Sequence, residues 1–237
     1  MAGRRRLVVV IAVGLLLVVS SVVVRAATTA PPRQSDVPAL ESFDPQRVGT
    51  VEQEAWAAYY YREWARLLQL MLEMIQGQFG LSPAQSLEAA YFATQAQVVW
   101  ADRGASGGEA EDLMRQFYAL VREPAGGQYD VDRAAALEIN WWAVHRNRDQ
   151  YPDSSALAQA LADLYAEVYR LPAEAALPAG EHRARAMDLS DQWIREGKAH
   201  DSPLLGQVRD ELVQSYQALH DALAARRAAE APAGLTR

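Results

Sequence analysis

Residues 155–170 read SALAQALADLYAEVYR, and this stretch decides the class of fold. Leu157, Leu161, Leu164 and Val168 stand at relative positions 0, 4, 7 and 11, which is one face of an α-helix. Asp153 or Ser154 offers a capping oxygen ahead of this helix, and Pro172 follows its end near Arg170. Leu205, Val208, Leu212, Leu219 and Leu223 repeat the stripe after a start at Ser202–Pro203. Between the two, a helix is expected over about residues 179–196, stopped by Gly197.

The same punctuation continues towards the amino terminus. Asp130 caps a helix reaching about Asn147, and another occupies residues 109–123 before Pro124 and Gly126–Gly127. Ser82–Pro83 with Gln85 opens a helix that ends in a break over residues 102–108. Thr50 with Gln53 forms a capping box for a long first helix closed by Gly80. From Trp64 to Ile75 only Arg66, Gln69 and Glu73 are polar, so this helix is expected at the centre, enclosed by the others. No window alternates apolar and polar residues with β-branched enrichment, so no β-sheet is expected. The expectation is all-α: one bundle of six or seven helices over residues 50–227, ending in a frayed tail at 228–237.

The start of the chain is of another kind. Arg4, Arg5 and Arg6 precede residues 7–24, an uncharged run broken only by Gly14, Ser20 and Ser21. At about 1.5 Å per residue the run is ~27 Å long, close to the ~30 Å hydrocarbon core of a bilayer and longer than a cleavable leader needs. Residues 1–25 therefore read as a membrane anchor with the amino terminus inside and the body outside, the three arginines setting the direction. Val24 and Ala26 before Ala27 also fit a cleavage site, which would release the body as a secreted protein. Residues 26–49, with Pro31, Pro32, Pro38 and Pro45, read as an irregular tether of ~27 Å average span.

Composition excludes several functions. The chain has no cysteine, hence no disulfide, zinc-thiolate site, iron–sulfur cluster or thiol nucleophile. Its net charge of −7 becomes −11 once residues 1–25 are set aside, which argues against nucleic acid and against lying flat on anionic lipid. Phosphate-cradling, nucleophile-elbow and calcium-loop patterns are missing, and so is the pair of Glu-x-x-His elements that a di-iron bundle needs.

Two clusters carry chemistry-bearing side chains. The first is the stripe Tyr59, Glu63, Arg66 and Glu73 with Trp56, Tyr60, Tyr61 and Trp64 beside it, which suits a polar cleft with aromatic walls, although a solvated helix edge with packed aromatics is the more ordinary reading of such spacing. The second is EINWWAVHR, residues 138–146, where Glu138, Trp142 and His145 share a face beside Trp141. Glu138 and His145 are two turns apart, ~10.5 Å along the axis, too far to chelate one ion. His145 also lies where a helix carboxyl end favours positive charge. Glu63, Glu138 and His145 are thus the candidate acid–base groups, and Trp56, Tyr59, Tyr60, Trp64, Trp141 and Trp142 the candidate ligand contacts. No metal and no cofactor is expected. The leading expectation is a membrane-tethered extracytoplasmic module that binds an envelope protein or lipid. The alternative is an extracytoplasmic enzyme or cofactor protein with its site between the first and fourth helices, and enzymatic activity is left open, leaning against.

Overall fold

The structure, a computed structural model, describes residues 37–103, 108–147, 150 and 153–230. The apolar run 7–24, the tether up to residue 36 and the tail from residue 231 lie outside them. Among the described residues there are eight α-helices and no strand, and no helix is long and apolar enough to cross a membrane. A 3-10 turn (Ala39–Glu41) leads into α1 (Pro45–Tyr61) and α2 (Trp64–Phe79). There follow α3 (Pro83–Arg103), α4 (Glu109–Ala125), α5 (Val131–Arg146), α6 (Ser155–Tyr169), α7 (Ala173–Arg195) and α8 (Pro203–Glu230). Each helix packs on the next, and α8 returns to pack on α1, so the eight close into a ring.

Several sequence signals act as expected. Asp130 accepts the Arg133 amide at 2.9 Å, and Ser82 and Gln85 bond reciprocally as a capping box. Gly80 ends α2 at φ +68°.

Other expectations are corrected. The long first helix is two, because Arg62 turns left-handed (φ +62°) and Glu63 restarts the chain. No glycine or proline marks that break. Its cause is packing: folding α2 back on α1 encloses Val51, Ala55 and Ala58 against Leu67, Leu70 and Met74, which a straight helix would leave in water. The first helix begins at Pro45 under an Asp44 cap rather than at Thr50, so Pro45 is a first-turn residue and not a breaker. Leu40, Phe43 and Val48, assigned to the irregular tether, are buried core residues. The helix α7 starts at Ala173 and runs through Pro178. Ala176, Ala179 and Gly180 are enclosed there, and a Cβ at Gly180 would collide with the Ala158 carbonyl oxygen. Residues 228–230 are helical. The most enclosed helix is α6, buried along most of its length, and not α2, whose Trp64, Ala65 and Gln69 face solvent.

The helices alternate in direction, which gives the ring two ends. Gly80 and Gly126 abut Ala39 and Pro38 at one end, where Arg226 donates to the Tyr169 and Arg170 carbonyls and Arg226 and Arg227 both hold Glu41. This is the near end, at which residue 37 stands. At the far end Tyr61 stacks on His200, and Arg146 reaches the Trp100 carbonyl at 3.1 Å. The sixteen residues of α2 separate the ends by ~24 Å.

Candidate functional site

At the far end the α1–α2 break projects an aromatic corner. Tyr59 is 51% exposed and Trp64 40%, their rings packed edge-to-face at 6.2 Å. Behind them Tyr60 and Tyr61 rest on Trp193, which is 1% exposed and donates its indole N–H to the Ala199 carbonyl at 3.0 Å. The exposed pair is therefore mounted on a fixed support. Burial raises the Tyr60 phenol, helped by Asp191, and also the Tyr61 phenol, helped by Glu63, so both stay neutral.

Beside the corner lies a cleft of about 290 Å³, between α1, α2 and the start of α8. Glu54, Glu63, Arg66 and Arg209 supply its charges, with Gln53, Tyr61 and His200 as further polar groups. Arg66 pairs with Glu54 at 3.0 Å and approaches Glu63 at 3.9 Å, while Arg209 holds Asp210 at 2.9 Å. The cleft is small, open and nearly balanced in charge. It offers a partner ion pairs of either sign and no concentrated field.

A second constellation lies inside the ring. Glu52, 4% exposed on α1, is gripped by both terminal nitrogens of Arg183 on α7 and accepts the Tyr216 hydroxyl from α8 at 2.9 Å. Burial opposes the Arg183 charge, but Glu52 and the phenols of Tyr165 and Tyr216 outweigh it and hold the guanidinium protonated. Trp56 covers that guanidinium at 5.8 Å. Burial, then Glu52, pushes the Tyr216 phenol far up. One turn earlier on α1 the helices α1 and α8 approach closely: a Cβ at Gly49 would stand 2.7 Å from the Val213 amide nitrogen.

Glu138 on α5 accepts Tyr118 at 2.7 Å and the Trp142 indole at 3.1 Å. Burial raises its carboxyl above the ordinary range, against the pull of Tyr118, Arg183 and Trp142. Tyr118 in turn is fully held, its carbonyl accepting the Tyr129 hydroxyl at 2.9 Å. Neither Glu52 nor Glu138 lines the cleft. These groups tie α1, α4, α5, α7 and α8 together.

The expected site residues thus fall in different places. Glu63, Tyr59 and Trp64 meet at the corner and cleft, with Tyr60 behind them. Trp56 serves the buried ion pair. Glu138 and Trp142 bond one another, and Trp141 packs edge-on to Trp142 at 6.1 Å. His145 lies 3.4 Å from Asp191 on α7 and does not line the cleft, so the structure does not bring it to Glu63 there. Among the described residues, no group of three or more His, Asp or Glu side chains is arranged to hold a metal ion.

Sequence reasoning missed Arg183, Tyr216, Tyr118, His200 and Arg209. One sign was available: Arg183 interrupts the buried run Ala176, Ala179, Ala186 and Ser190 at helical spacing, a charge on an inward face. His200 and Arg209 carry no such mark, because they reach the cleft only through ring closure. Compared with known protein families, with curated proteins and with solved structures, the chain matches none.

Proposed function

We propose that this chain is a membrane-tethered, extracytoplasmic helical binding module, and that the Tyr59–Trp64 corner with its adjoining cleft is the surface that docks a polypeptide. One observation carries the reading: two large aromatics stand half out of the protein, in contact with each other, on a support that is itself buried. Tyr, Trp and Arg dominate the energy of protein interfaces, since they cover much area at little cost in side-chain freedom. The corner also lies at the end remote from residue 37, where the tether arrives, which favours a protein partner over the bilayer.

The test uses the full chain in its own membrane. A photo-crosslinking amino acid replaces Trp64 in one variant and Tyr91, a 55% exposed residue of α3, in another. The expected result is a covalent polypeptide adduct from position 64 and little from position 91, with the body open to protease added outside the cell. Equal adducts from both positions, no adduct, or a body protected inside the cell overturns the proposal.

A second reading draws on Glu138, whose raised carboxyl among Tyr118, Trp141 and Trp142 resembles a shielded acid. It makes the chain an extracytoplasmic enzyme or cofactor protein with its site between α1 and α5. It requires a path from solvent to Glu138, which the cleft does not supply. Glu138→Gln, with the fold kept, removes activity on any substrate found if that reading holds.

A further inference from the structure

We infer that residues 38–43 form a latch across the near mouth of the ring, one that opens and closes as a unit while the eight helices stay folded. The inference goes beyond the binding-module reading and does not depend on the aromatic corner. The latch follows residue 37, where the tether arrives. It meets all four helices that finish at the near end: Pro38 lies on the end of α4, Ala39 on that of α2, Phe43 on Tyr169 of α6, and Glu41 on Arg226 and Arg227 of α8.

Two glycines make its seat. Gly80 and Gly126 have positive φ, and a Cβ on them would stand 2.6 Å from Ala39 and 2.7 Å from Pro38. Leu40 and Phe43 are 4% and 2% exposed. The Phe43 ring lies edge-on to Tyr169 at 6.1 Å, to Tyr216 at 5.8 Å and to His220 at 6.2 Å. Tyr216 in turn donates to Glu52, the partner of Arg183. Phe43 thus covers the rings that lead from the near end to the buried ion pair.

What holds the latch differs from what holds the helices. Its Glu41 and Ser42 amides bond back to the Pro38 and Ala39 carbonyls, within its own turn. The grip on the body comes from side chains: Arg226 and Arg227 hold the Glu41 carboxylate, and Arg227 also donates to the Glu41 carbonyl at 3.3 Å. The ring meanwhile closes through the packing of α8 on α1. Releasing the latch breaks no α-helix and keeps that closure, while it uncovers Tyr169, Tyr216 and His220. A short segment held in this way opens at a lower free energy than the core. A pull on the tether reaches it first.

The absence of cysteine lets a single thiol report the opening. The Ser42 hydroxyl oxygen is buried and has no hydrogen-bond partner among the described residues, so Ser42→Cys is a small change. Ser215→Cys, at a fully buried position where α8 meets α7, is the control. In the full chain in detergent, a thiol reagent is expected to label position 42 at least about tenfold faster than position 215, with a weaker dependence on urea because little surface opens. Glu41→Gln should speed labelling at position 42 at least about tenfold, the weight of a charge-assisted contact, and leave position 215 unchanged. Hydrogen exchange of the cysteine-free chain gives a second reading: Glu41→Gln should quicken exchange at residues 41 and 42 and leave α4 and α5 as they were. Equal rates and equal urea slopes at positions 42 and 215 mean that the segment moves only when the whole domain unfolds, and they overturn the inference. So does a position-42 thiol that labels as fast as a free thiol, or a Glu41→Gln effect that is absent or equal at both positions.

Discussion

Glu52 and Arg183 form the buried ion pair on which the ring closes, and replacing one partner is the most decisive perturbation. Glu52→Gln keeps the shape but removes the charge that faces the guanidinium, and it leaves one oxygen where two now accept from Arg183 and Tyr216. Glu52 is 4% exposed and the Arg183 side chain 14%, so little water is at hand to solvate the orphaned cation. Removing one partner of such a pair costs about 3–5 kcal/mol, a fifth or more of the ~5–15 kcal/mol that holds an ordinary domain together. With a urea slope of about 2 kcal/mol per molar, the unfolding midpoint falls by roughly 1.5–2.5 M. Replacing both partners, as Glu52→Met with Arg183→Met, also removes the desolvation cost and should return to within about 1 kcal/mol of the parent. The assay is urea unfolding followed by tryptophan emission and circular dichroism, at low and high salt. Salt should move the Glu52→Gln penalty little, because the site is shielded from ions. A midpoint shift below about 0.5 M, or a double variant no better than the singles, refutes the reasoning.

Three further outcomes are expected. Gly180→Ala drives a Cβ into the Ala158 carbonyl and the Ala162 amide, backbone atoms that cannot step aside, and should cost about 1–3 kcal/mol in urea unfolding. Arg62→Val puts a β-branched residue at φ +62° and should cost about 1–2 kcal/mol, while Arg62→Gly is close to neutral, both read by thermal unfolding. The native Glu138 carboxyl holds its proton more tightly than the unfolded one. Stability contributed at this site is therefore present near pH 4.5, the ordinary value, and is lost as pH rises through the higher native value. Glu138→Gln should remove this site's share of the change in urea midpoint between neutral pH and pH 4.5, and an unchanged pH profile in that variant counts against the burial of this carboxyl.

Legibility in the sequence tracked how local the cause was. The Ser82–Gln85 box, the Asp130 cap and the Gly80 stop each act within four residues, and each was readable from spacing alone. The break at Arg62–Glu63 was not, because its driving force is the burial of Val51, Ala55 and Ala58 against Leu70, a contact made only after the chain has turned. Pro45, placed in the tether, and Pro178, left outside a helix expected to start at about residue 179, both lie within helices for related reasons. One begins a helix that the core of Phe43 and Val48 requires, and the other is carried by the close approach of α7 to α6. At the site, the exposed stripe Tyr59, Glu63, Trp64 was visible in advance, whereas its neighbours His200 and Arg209 arrive from well over a hundred residues away.

What the sequence determined by itself was the all-α class, the spacing of its apolar faces and most of its stops, since hydrogen bonding and hydrophobic periodicity within a helix are settled over a few residues. What the tertiary structure decided was which charges are enclosed and which aromatics are left out. Glu52 and Glu63 are both glutamates, eleven positions apart in the sequence. One is paired inside the ring and the other faces water in a cleft, because Arg183 and Tyr216 meet the first between the helices while the second stands at the α1–α2 break.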